Sequence, residues 1–137
     1  MPDNRAFVDT NILFYAHDKT DPEKYEKASR LIGTLWQAPD RPWLSVQVLQ
    51  ELFVNLSRAI PAAEAEEVTS DYMRWNVVEN DVSLLREAFS ERRTFQVSFW
   101  DALILAAAGH AGARVLYSED FGHERKYGTV RVVNPFL

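Results

Sequence analysis

Ala6-Phe7-Val8-Asp9-Thr10-Asn11 sets the pattern of this chain: three apolar residues make a short buried strand, and the strand stops on a carboxylate. The pattern returns late in the sequence. Val115-Leu116-Tyr117 is another apolar run, and it leads through Ser118-Glu119 to Asp120. Three more short strands are expected at Trp43-Leu44, Val77-Val78 and Val130-Arg131-Val132-Val133. Helical segments lie between most of them. Asp21-Pro22-Glu23 supplies a cap, a first-turn proline and an early acid, after which Tyr25, Ala28, Leu31, Ile32, Leu35 and Trp36 recur at helical spacing. Ser45 caps a helix to about Arg58, and Pro61 opens another to about Trp75. Asn80 or Asp81 caps a helix with Val82, Leu85, Ala88 and Phe89 on one face, and Ser98 opens a strongly apolar helix ending near Gly109 or Gly112. Strands separated by helices imply right-handed crossovers and a largely parallel sheet with helices on both faces. Ligands of such sheets bind beyond the carboxyl ends of the strands, where the winding reverses.

That rule draws attention to the acids. If the first and fourth strands are adjacent and parallel, Asp9 and Asp120 lie side by side at one sheet edge. Each acid also has a structural alternative, as the cap of the helix or turn that follows. Glu51 shares a helix face with Gln47 and Asn55, which reads either as a solvated stripe or as a side chain leaning back towards the strand ends. Asp101 completes a capping-box spacing with Ser98, yet it sits among Trp100, Ala102, Leu103 and Ile104, where a partly buried carboxylate needs a partner. Gathered together, four carboxylates repel, and a hard divalent cation removes that penalty. Mg²⁺ takes one or two carboxylates directly, keeps several waters and binds phosphate, which suits phosphodiester hydrolysis.

Composition narrows the alternatives. The 137 residues make one domain, 1–137, with 47% hydrophobic and 26% charged residues. A net charge of −5 argues against coating nucleic acid by bulk attraction. With no cysteine, thiol catalysis and thiolate metal sites are excluded. The sequence has no glycine-rich phosphate loop and no Gly-x-Ser-x-Gly elbow. His17, His110 and His123 lack zinc spacing. Arg92, Arg93, Arg125 and Lys126 are phosphate-contact candidates whose ordinary role is a solvated charge. A Mg²⁺-dependent phosphatase would need a paired aspartate after the first strand, where Asp9-Thr10-Asn11 has none, and a receiver-like domain would need a lysine ending a later strand, which is missing too. No apolar run approaches the ~20 residues of a membrane span, and the opening Met1-Pro2-Asp3-Asn4-Arg5 lacks the parts of a signal peptide, so a cytoplasmic address is expected.

These residues resemble the motifs of PIN domains, in order. Phe7-Val8-Asp9-Thr10-Asn11-Ile12-Leu13 is similar to the first, Ser45 to Leu52 to the second with its glutamate at Glu51, and Phe99-Trp100-Asp101-Ala102-Leu103-Ile104 to the third. Ser118-Glu119-Asp120-Phe121 resembles the fourth, and Val132-Val133-Asn134-Pro135-Phe136 the closing strand of a bacterial subgroup. In size the chain looks like the toxin of VapBC-type toxin–antitoxin modules. The resemblance implies a three-layer α/β/α sandwich with a five-stranded, mainly parallel sheet, frequently dimeric. It implies Mg²⁺- or Mn²⁺-dependent endoribonuclease activity on RNA and a small antitoxin protein as partner. Asp9, Glu51, Asp101 and Asp120 become the catalytic acids, with Asp9, Asp101 and Asp120 on the metal. Thr10 and Ser118 would support the site by hydrogen bonds, and Asn11 would orient Asp9 or a water. Many PIN domains carry a further acid two residues after the fourth; here that position is Gly122, and Glu119 is the neighbour able to compensate. The alternative is a PIN-like module that binds RNA or protein without cutting.

Overall fold

The computed structural model describes residues 5–137; residues 1–4, read above as free of a signal segment, lie outside the described residues. The elements in chain order are β1 (Ala6–Val8), α1 (Thr10–Tyr15), α2 (Pro22–Gln37), β2 (Trp43–Ser45), α3 (Val46–Ser57), α4 (Ala62–Tyr72), β3 (Asn76–Val78), α5 (Val82–Phe95), α6 (Phe99–His110), β4 (Val115–Tyr117), β5 (Lys126–Tyr127) and β6 (Val130–Val133). The sheet runs β3-β2-β1-β4-β6-β5. All pairings are parallel except β5 with β6.

The five strands expected from the apolar runs are the five parallel ones. The sixth, β5, is a two-residue antiparallel addition at the edge, joined to β6 by a two-residue turn in which Gly128 takes φ +63°. Its sequence, Lys126-Tyr127, is too short for any alternation to show. The helix α1 was equally hidden: six residues make too little periodicity, and it holds through the cap from Asp9 and packing on α2 and α3. The face of α5 is rotated from the expected one. Leu84 and Ala88 are buried, whereas Val82 is 66% and Phe89 43% exposed. Asp81 accepts from the Leu84 N–H and starts the helix at Val82 itself, so the first apolar residue lies in the solvent-facing first turn. The helix after Pro61 ends at Tyr72, where the backbone turns in time to place Trp75 against Tyr72.

From β1 the chain winds outward through β2 to β3, then returns to the other side of β1 at β4. Right-handed crossovers in opposite directions put α1 to α4 on one face and α5 with α6 on the other. Phe7, Val8, Leu44, Leu116 and Val132 fill the middle layer with no exposed surface. Ala102 to Ala108 are all buried, so α6 is enclosed between the sheet and α5, which explains why its apolar residues show no single face. The reversal of winding falls between β1 and β4, the strands that end at Val8 and Tyr117.

Candidate active site

Parallel pairing of β1 and β4 puts Val8 opposite Tyr117, and the Asp9 N–H donates to the Tyr117 carbonyl at 3.0 Å. Asp9 and Ser118 are therefore neighbours by register. Asp9 is 4% exposed; its Oδ1 accepts from the Thr10 N–H at 2.7 Å and its Oδ2 from the Ser118 hydroxyl at 2.8 Å. The same Ser118 hydroxyl accepts the Asp120 N–H at 3.1 Å. One buried serine thus fixes the first acid and the loop that carries the last.

Thr10 and Asn11 reach the other two segments. Thr10 Oγ1 donates to Glu51 Oε1 at 2.8 Å, which brings α3 to the end of β1. The Asn11 amide donates to Asp120 Oδ2 at 2.9 Å, so Asn11 positions Asp120, where the sequence pointed to Asp9 or a water. Asp101 enters from the first turn of α6, its N–H held by the Ser98 cap at 3.2 Å. Asp9, Glu51, Asp101 and Asp120 all line one cleft of about 270 Å³, with Thr10 and Asn11 beside them. The capping roles of Asp9 and Ser98 are present as well, so cap and cleft coexist. Among the described residues no three acids or histidines are close enough to cage an ion unaided. Asp9, Glu51 and Asp120 are each tied instead to Ser118, Thr10 and Asn11.

Glu119 lies elsewhere. Its carboxylate pairs with Lys24 Nζ at 2.8 Å, and that ammonium sits 4.6 Å from the Tyr15 ring centre and 5.2 Å from that of Phe136. Only the Glu119 backbone N–H turns to the site, towards Asn11 Oδ1 at 3.4 Å. His123 accepts the Asn134 N–H through Nδ1 at 3.0 Å, and neither it nor Arg92, Arg93, Arg125 or Lys126 lines the cleft. Phe14 and Tyr15, which the sequence reading passed over, and Trp100 and Ile104, read there only as apolar neighbours of Asp101, form apolar parts of the wall. Gln47 and Asn55 were visible as companions of Glu51 on α3; Gln47 is 4% exposed rather than solvated, and it donates to the Trp100 carbonyl at 3.3 Å. A larger groove of about 580 Å³ lies between α3 and α4, lined by Val46, Leu49, Phe53, Met73 and Val77, and it contains none of the four acids.

Burial pushes Asp9 from an ordinary value of 3.8 up to about 7; the Ser118 and Thr10 hydrogen bonds oppose the rise, and the nearby Asp120 and Glu51 carboxylates add to it. Burial and then Asp120 raise Asp101 as well, against its bond to Ser98. With the folded value above the unfolded one, Asp9 contributes stability in full below about pH 4, and that contribution is lost as the pH rises through 7. In chelator, the fold is expected to lose on the order of 1 kcal/mol between about pH 6 and pH 8 through this group alone. Thermal melts of the parent and Asp9→Asn across that range check it: the parent should fall more steeply, and parallel slopes would remove the case for a strained carboxylate.

Solved structures that share this fold include several toxin and toxin–antitoxin proteins. VapC20 of Mycobacterium tuberculosis, described as a toxin cleaving the sarcin-ricin loop, superposes with a TM-score of 0.68 at 22% identity over 84% of this chain and 89% of its own. A toxin–antitoxin complex from Klebsiella pneumoniae gives 0.70 at 17% identity, covering 95% and 97%. DNA-bound VapBC from Salmonella typhimurium gives 0.64 at 18%, covering 93% and 96%. VapBC2 from Rickettsia felis, bound to a promoter DNA fragment, shares the fold too. Comparison of the sequence with curated proteins finds no match. The model of the PIN domain family matches residues 6–128, from the first strand through β5 and across all four acids. The chain belongs to the PIN domain family.

Proposed function

We propose that this protein is a divalent-metal-dependent endoribonuclease acting as the toxin of a toxin–antitoxin pair. The observation that carries the reading is the meeting of Asp9, Glu51, Asp101 and Asp120 in one cleft at the reversal of winding between β1 and β4. The donor set fits a hard cation: every candidate ligand is a carboxylate oxygen, and Asp9 is a buried acid whose ionisation a neighbouring positive charge would favour. Asp9, Asp101 and Asp120 would hold Mg²⁺ or Mn²⁺ directly or through water. When bound, the ion supplies charge neutralisation at phosphorus and a more acidic water. Ser118 and Thr10 keep Asp9 aimed, and Asn11 does the same for Asp120. Glu51, anchored by Thr10, would complete the shell around the ion or position the attacking water. With Gly122 in place of a further acid and Glu119 committed to Lys24, a single ion is the simpler assignment.

The substrate is read as an RNA loop, since unpaired bases are where proteins read RNA sequence. The neighbours solved as toxin–antitoxin assemblies support a small antitoxin as partner, and a homodimer belongs to the same reading. Among the described residues no helix is long and apolar enough to cross a membrane, which accords with a target in the cytoplasm. Incubation with a panel of structured RNAs in Mg²⁺, Mn²⁺ or chelator tests the proposal. Cleavage at loops with either cation and none in chelator is expected. RNA retained without turnover in any of the three would leave only a non-cutting binding module.

A further inference from the structure

Trp100 is 62% exposed, unusually open for a tryptophan, and it stands one residue before Asp101. Its ring is braced edge-on by Phe99, centres 5.0 Å apart at 73°, and Phe99 in turn meets Phe89 at 6.1 Å. Its backbone is held by Gln47. One side of the indole is therefore braced while much of its surface remains open. It lines the acid cleft and also an adjoining hollow of about 360 Å³, which the two share through Gln47, Glu51 and Asn55. Gln50 completes an amide-rich rim around that hollow. Amides both donate and accept, as the edges of nucleobases do. No lysine or arginine among the described residues lines either space. A chain of net charge −5 whose cleft is walled by carboxylates gains little from bulk attraction to a phosphate backbone. Affinity must then come from elsewhere, and base stacking on an exposed aromatic ring is one source that does not depend on charge.

We propose that Trp100 is a stacking platform for an unpaired nucleobase beside the scissile phosphate, with the Gln50 and Asn55 amides around the base edge. The proposal rests on the ribonuclease reading above and adds the element that grips the substrate. A protein partner has a better-suited surface in the apolar groove between α3 and α4, which is why the base is assigned to the amide-rimmed hollow beside Trp100.

The test is binding of a short, unstructured RNA of mixed sequence to the Asp9→Asn protein, alone and combined with Trp100→Ala or Trp100→Phe. Trp100→Ala should weaken binding roughly ten- to a hundredfold, with Trp100→Phe recovering most of the loss. An RNA whose bases are removed should bind parent and Trp100→Ala alike. In the Asp9-intact protein, Trp100→Ala should raise KM and leave kcat nearly unchanged. Equal affinity for intact RNA with and without the indole overturns the proposal; if sedimentation also shows that Trp100→Ala dissociates a dimer, the ring belongs to a protein interface. Cleavage with an unaltered KM in Trp100→Ala removes the platform and leaves the nuclease reading standing. A parent that neither binds nor cuts RNA removes both.

Discussion

Replacing Asp9 by asparagine is expected to lower RNA cleavage on the order of 10³-fold while making the metal-free protein more stable at about pH 8. The two effects share one cause. Asp9 is held at 4% exposure beside Asp120 and Glu51, and its pKa is pushed up to about 7, so above that pH the fold contains a charge that its surroundings disfavour. Asparagine removes the charge and keeps the shape. Its Oδ1 still accepts from the Thr10 N–H, and its amide can donate to the Ser118 hydroxyl, which both accepts and donates. The gain in stability should be up to about 4 kcal/mol, less any loss from rearranging the Ser118 bond. Cleavage falls because an amide is a poor ligand for Mg²⁺ and leaves the cleft one negative charge short. Paired measurement of RNA turnover and thermal melting in chelator checks both halves. Loss of activity together with a lower melting temperature would point to misfolding, and parental activity would remove Asp9 from the mechanism.

The second large effect is expected at Leu116→Ala. Leu116 has no exposed surface and sits in the middle of β4, paired with Phe7 on one side and Val132 on the other. Truncation opens a cavity where the sheet joins its two halves, and buried leucines truncated in this way lose roughly 2–5 kcal/mol. In urea, the midpoint should fall with an unchanged slope. Residual activity at low temperature should stay near parental, because Ser118 and Asp120 keep their hydrogen bonds to Asp9 and Asn11. A shift below about 1 kcal/mol would mean that the centre of the sheet is less tightly packed than described.

The parallel strands and the convergence of the acids were legible because both depend on strong local signals. Ala6-Phe7-Val8 and Val115-Leu116-Tyr117 are apolar runs ending at acids, and the crossover rule makes them neighbours without further information. Glu51 and Asp101 were legible only as acids out of place on apolar helices. What was not legible depends on side-chain direction. Nothing in the order of residues tells whether Asn11 turns to Asp9 or to Asp120, or that Glu119 turns away to Lys24, a residue 95 positions distant in the chain. The stripe of Gln47, Glu51 and Asn55 was seen but read as either solvated or functional, since periodicity locates a face without saying what covers it. The exposed side of α5 misled for a related reason: a helix that packs mainly on α6 rather than on the sheet can leave Val82 and Phe89 outside.

The ties that close the cleft join residues separated by 41 and 109 positions: Thr10 with Glu51, Ser118 with Asp9, and Asn11 with Asp120. Half of the cleft therefore does not exist until the final strands have been synthesised and have docked against the first. A nascent chain lacks Ser118 and Asp120 through most of elongation, so the four carboxylates cannot meet until its last part has emerged. If the protein cuts RNA as proposed, this separation along the chain would withhold the activity until the last strands have docked.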